Sequence, residues 1–173
     1  LITTPPVDQL AVRTFVTPKD PMMLREAINR ERLRGGQIFY VCPRISDISH
    51  LETELSELVP DLRIAVAHGQ LPPTQLEDVM NTFYEGAYDL LLSTNIVESG
   101  LDLPSVNTII IHRADRFGLA QLYQLRGRIG RSKLRGYAYL TLPQNQQVTP
   151  AAQKRLEVMQ ALDSLGAGFM LAS

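Results

Sequence analysis

With 173 residues, 45% of them apolar and 20% charged, the chain can enclose one compact domain with its own core and is short for two. A net charge of −1 excludes a generally cationic nucleic-acid coat, so any contact with phosphate must come from a local patch of arginines. Cys42 is the only cysteine, which excludes an internal disulfide. No Cys/His spacing points to zinc, no metal site is expected, and a reduced intracellular setting fits best.

The amino end, Leu1-Ile2-Thr3-Thr4-Pro5-Pro6, has neither the basic start nor the apolar core of a secretion signal. No apolar run approaches the ~20 residues that span a bilayer, so no membrane partner is expected. Both ends are abrupt, which predicts a piece of a longer multidomain chain. Strands are expected at Ala11–Val16, Ile38–Cys42, Arg63–Ala67, Leu90–Ser93, Thr108–Ile111 and Tyr137–Leu142. Leu90-Leu91-Leu92 and Ile109-Ile110-Ile111 are apolar on successive residues, which suits strands covered on both faces.

Helical periods lie between these strands. A first helix is expected over Met22–Arg34, stopping at Gly35-Gly36. Leu51, Leu55, Leu58 and Val59 mark a second, with Ser49-x-x-Glu52 as a capping box. Leu76, Val79, Met80 and Phe83 mark a third, entered through Pro72-Pro73. Val158, Ala161, Leu162 and Leu165 mark the last, which is expected to end at Gly166. The alternation predicts an α/β fold of three layers, a mostly parallel sheet with helices on both faces. Ligands in such sheets bind beyond the carboxyl ends of the strands, so the residues just after each strand come first.

The segment Gln124-x-x-Gly127-Arg128-x-x-Arg131 carries the most chemistry. On a helix, the spacing of Arg128 and Arg131 puts two guanidinium groups on one face, within reach of one anion. Arginine is always charged and binds phosphate oxygens in pairs. Offsetting the charge that spreads over a γ-phosphoryl group in transfer is worth roughly 10³–10⁵ in rate, or about 4–7 kcal/mol. The competing reading is a solvated basic face. Gly127 and Gly130 argue against it, because they cost helix stability unless another backbone or a ligand comes close.

Thr94 follows a buried strand together with Ser93, where a hydroxyl and a backbone N–H can meet a phosphate. Gly100 and Asp102 follow in a turn closed by Pro104, and that carboxylate can accept a ribose hydroxyl or orient an arginine. An ordinary loop with an Asx cap is the alternative. Arg44, just past a strand, is a candidate phosphate-backbone contact or a plain surface arginine. His68 also follows a strand, with Gly69 beside it leaving room for a phosphate at the backbone N–H; a satisfied structural histidine is the other reading. Cys42 reads as a small buried apolar residue. No Gly-x-x-x-x-Gly-Lys-Ser/Thr loop and no Asp-Glu pair for Mg²⁺ is present, so the sequence has arginines for a transition state and nothing to hold the nucleotide.

The ordered series Arg44, His68-Gly69, Thr94…Gly100-x-Asp102 and Gln124-x-x-Gly127-Arg128-x-x-Arg131 resembles the second RecA-like lobe of superfamily 2 helicases and translocases. The longer string from Ala114 to Arg131 is similar to the bacterial transcription-repair coupling factors and the RecG-type branched-DNA remodelling helicases. Thr4-Pro5-Pro6…Leu10-Ala11-Val12-Arg13-Thr14-Phe15-Val16 and Gln153-Lys154-Arg155-Leu156-Glu157…Leu165-Gly166-Ala167-Gly168-Phe169 favour the coupling factors.

That resemblance implies one helicase C-terminal lobe over residues 1–173, with 1–20 arriving from a preceding RecA-like lobe and 151–173 leading toward a coupling motif. It implies ATP and Mg²⁺ held mainly by the preceding lobe, and double-stranded DNA as partner. It also implies RNA polymerase and excision-repair proteins bound through other domains, in the bacterial cytoplasm. Arg128 and Arg131 match the arginines that reach ATP; Gly100, Asp102, Gln124 and Gly127 match the ATP-binding and coupling stretch; Arg44, His68, Gly69 and Thr94 match DNA-backbone contacts. The alternatives are the fork-remodelling relative and a non-catalytic DNA- or protein-binding module of the same fold. The piece alone is expected to be inactive as an ATPase.

Overall fold

The computed structural model describes residues 12–95, 103–129, 134–145 and 147–172, with side chains of the last helix described as far as 162. Among the described residues six strands form one sheet: β1 (Arg13–Pro18), β2 (Gln37–Val41), β3 (Ile64–Ala67), β4 (Leu90–Ser93), β5 (Val106–Ile111) and β6 (Tyr137–Leu142). Their order is β1-β6-β5-β2-β4-β3, and all five pairings are parallel. Every residue of β2, β4 and β5 is buried, the burial that unbroken apolar runs anticipate for strands covered on both sides.

The described helices that cover the sheet are α1 (Pro21–Leu33), α2 (Ile48–Leu58), α3 (Pro73–Tyr84), α4 (Leu119–Arg126) and α5 (Pro150–Ala172). Side chains alternate across the pleat and divide the core in two. Ile38, Tyr40, Leu90 and Leu92 pack with Leu24 and Ile28 of α1 and Leu51 and Leu55 of α2. Phe39, Val41, Leu91 and Ile109 pack with Met80 and Phe83 of α3, Leu122 and Leu125 of α4, and Leu156 and Met159 of α5. Among the described residues no helix is long and apolar enough to cross a membrane.

Local chemistry explains most helix ends. Asp20 caps α1 by accepting the Met22 N–H at 3.1 Å, Pro21 opens the first turn, and Gly35 at φ +82° ends the run. Pro72-Pro73 opens α3. Two expectations fail. The Ser49–Glu52 capping box does not form: α2 begins at Ile48 with Asp47 in the N-cap position, so Ser49 lies inside the helix and its carbonyl accepts from the Thr53 hydroxyl at 3.2 Å. Gly166 does not end the last helix, which continues to Ala172. Its buried stripe is Ala152, Leu156 and Met159, joined by Leu162, while Val158 is exposed; the three- and four-residue steps that start at Ala152 select a different face from the one read around Val158.

Candidate functional site

The strand order brings three of the candidate contacts to one rim. Arg44 lies just beyond β2, Thr94 beyond β4 and His68 beyond β3, and these strands are neighbours in the sequence β2-β4-β3. With strands about 4.8 Å apart, the three ends span roughly 10 Å. Cys42 ties two of them together. Its N–H donates to Ser93 O at 2.9 Å, and its thiol faces Arg44 O at 3.4 Å and Ser93 O at 3.6 Å. Burial pushes the thiol up to about 12, so it remains a protonated donor.

Arg44 is exposed, and its backbone N–H donates to Asp47 Oδ2 at 3.1 Å, which fixes the turn while leaving the guanidinium outside. His68 Nδ1 accepts the Gln70 N–H at 3.2 Å. In the neutral ring that acceptor leaves the proton on Nε2, a donor suited to a phosphate oxygen. Gly69 is exposed, and a Cβ there would meet nothing within 4 Å, so internal packing does not demand a glycine. Thr94 is half-buried. Ser93, by contrast, is fully buried and donates its hydroxyl to Thr94 O at 2.7 Å, so of the paired hydroxyls only Thr94 stays available.

The arginine segment lies at the other end of the sheet. Arg126, the last residue of α4, donates from Nε to Thr14 Oγ1 at 3.0 Å and from Nη2 to Val12 O at 3.2 Å, at the start of β1. Arg128 is not on a helix: α4 stops at Arg126, Gly127 caps it, and Arg128 falls in the following turn, partly buried. That turn is held by Arg128 N–H to Leu125 O at 3.2 Å and by Ile129, which is buried in the core. A Cβ on Gly127 would meet only carbonyls of its own helix, Tyr123 O at 3.3 Å and Gln124 O at 3.6 Å, so no neighbouring element demands a glycine there. Gln124 is exposed one turn earlier. Gly100, Asp102, Gly130 and Arg131 lie outside the described residues.

A third group escaped the sequence reading. His112 directly follows β5, and Asp47 and His50 flank the start of α2; with Lys19, Arg113 and Arg116 they line a cavity of about 300 Å³. Burial, then Lys19, pulls His112 down to about 4. Arg113 takes a left-handed backbone at φ 53°, and Asp115 grips it in two-point contact, at 2.9 Å from Nε and 2.8 Å from Nη2. Looking just past every strand finds His112; the Ile109–Ile111 run drew attention as core and hid the residue after it.

Comparison with known proteins agrees with this architecture. The family pattern described as helicase conserved C-terminal domain matches residues 19–133. Transcription-repair-coupling factors from Rickettsia bellii and Myxococcus xanthus are 52% and 55% identical over all of this chain, which spans 15% and 14% of their lengths. A solved structure of RecG bound to a three-way DNA junction superposes with a TM-score of 0.74 at 34% identity, covering 90% of this chain and 22% of that one. The family pattern runs from the end of β1, through the rim that carries Arg44, His68 and Thr94, to the turn that carries Arg128, and the chain belongs to the helicase conserved C-terminal domain family.

Proposed function

We propose that the chain is the second RecA-like motor lobe of an ATP-driven double-stranded DNA translocase, one whose parent displaces stalled RNA polymerase and couples transcription to nucleotide-excision repair. One observation carries the motor reading: Arg126 bonds to Val12 O and Thr14, so the arginine turn sits beside the start of β1. In the resemblance, residues 1–20 arrive there from the lobe that holds ATP and Mg²⁺. Arg128, and Arg131 after it, would then face the phosphates across the junction between lobes, with Gln124, Gly127, Gly100 and Asp102 coupling nucleotide to DNA. Arg44, Thr94, His68 and the Gly69 backbone would meet the DNA backbone on the opposite rim. Such a division suits a motor, because the sheet between the two ends transmits closure at the nucleotide to the track.

The polymerase-coupling part of the proposal draws on the coupling factors, which match this chain over its full length. The RecG likeness supports a second reading, branched-DNA remodelling by the same lobe chemistry. Flanking sequence separates them: a polymerase-binding module favours the first, a wedge for branched DNA the second.

The test is DNA-stimulated ATP hydrolysis by the full-length parent, wild type against Arg128→Ala and Arg131→Ala, with nucleotide binding measured in parallel. A fall of roughly 10³-fold or more with binding retained supports transition-state arginines. Unchanged turnover would move the lobe to the non-catalytic binding class.

A further inference from the structure

Asp47, His50 and His112 come together although sequence spacing gives no metal pattern. Asp47 and His50 stand three residues apart at the start of α2, and His112 arrives from the end of β5 through its N–H bond to Val41 O at 2.8 Å. One ligand atom from each lies within 4.8 Å of the other two, and the two imidazole rings stand edge to face at 6.1 Å between centroids. His112 Nδ1 is shut off from water and has no hydrogen-bond partner among the described residues. Burying a polar nitrogen without a partner is costly, and an ion bound at that nitrogen would relieve the cost.

We propose that these three residues form a binding site for a divalent transition cation of the zinc class. Two imidazoles and one carboxylate are a borderline N/O donor set that suits Zn²⁺ and leaves a fourth position open to water. Ligands about 2.0–2.1 Å from a tetrahedral ion stand roughly 3.3 Å apart, so pairs now within 4.8 Å of one another close by up to about 1.5 Å on binding. His50 is exposed and Asp47 half-buried at a helix end, so both have the freedom to make that movement. Asp47 Oδ2 already accepts the Arg44 N–H, which leaves Oδ1 for the ion and orients the carboxylate as a helper bond does in metal sites.

Of the three cations that line the cavity, Lys19, Arg113 and Arg116, the first two are already paired and Arg116 is exposed to water. Lys19 Nζ stands 2.5 Å from Glu54, and Arg113 is gripped by Asp115 at 2.8 Å. Once filled, the site would cross-link the loop between β2 and α2, which carries Arg44, to the end of β5. This inference is independent of the motor reading.

The test titrates the chain with Zn²⁺ by calorimetry, and with Co²⁺ to follow its visible ligand-field absorption. One equivalent should bind and raise the melting temperature. His50→Ala, an exposed substitution that leaves the core untouched, should weaken binding at least tenfold, as should Asp47→Asn and His112→Gln. No uptake, or uptake unchanged by His50→Ala, overturns the proposal. So does a melting temperature raised by inorganic phosphate but not by Zn²⁺, which would assign the cavity to anions.

Discussion

Arg126 Nε donates to Thr14 Oγ1 at 3.0 Å, joining the last turn of α4 to the first strand. The bond sets where the turn with Arg128 begins, and Thr14 is itself buried, so its loss is felt. Arg126→Ala should lower stability by about 1.5–3 kcal/mol, and Thr14→Val by about 1 kcal/mol. Urea titration reads both as a shifted midpoint at constant slope. In the full-length parent, Arg126→Ala should also reduce ATP turnover, by letting the neighbouring arginine turn drift.

Gly36 tests a buried carboxylate. Glu31 is fully buried and accepts the Thr108 hydroxyl and Arg34 Nη2, each at 2.5 Å. A Cβ on residue 36 would lie 2.1 Å from Glu31 Oε2 and 2.9 Å from its Cδ. A surface glutamate would swing away, but this one is held by two partners. Gly36→Ala should therefore destabilise by about 1–3 kcal/mol, while Gly69→Ala, in open space, should change the folding midpoint little.

Arg113 and Asp115 predict a pH effect. Hydrogen bonding from Arg113 holds the Asp115 carboxyl below its ordinary value of 3.8, against the opposing pull of burial. The unfolded chain then binds this proton more readily than the folded one, so the pair's contribution is complete above pH 3.8 and disappears as pH falls through the lower folded value. Denaturation at pH 6 and pH 3 should show wild type losing more stability on acidification than Asp115→Asn. Equal losses would mean that the pair contributes nothing.

Cys42 predicts a silent thiol. Raised to about 12 and fully buried, it holds a thiolate fraction of about 10⁻⁴ at pH 8. A disulfide reagent should leave the native chain unlabelled over hours and react within minutes once urea unfolds it.

The sequence alone determined the layers. Leu90-Leu91-Leu92 and Ile109-Ile110-Ile111 announce strands covered on both faces, and the intervening periods announce helices, because burial is a local demand on residue type. It also singled out the arginine-glycine segment, by residue type, as a candidate for phosphate chemistry. The tertiary structure decided what meets what. Strand order puts Arg44, Thr94 and His68 on one rim, and nothing along the chain encodes that β4 lies between β2 and β3. It sets Arg128 at the opposite end, past a helix whose final residue reaches partners 112 and 114 positions away. It brings Asp47 and His50 to His112 for the same reason: such contacts follow from packing the sheet, and a residue's own neighbours in sequence carry no record of them.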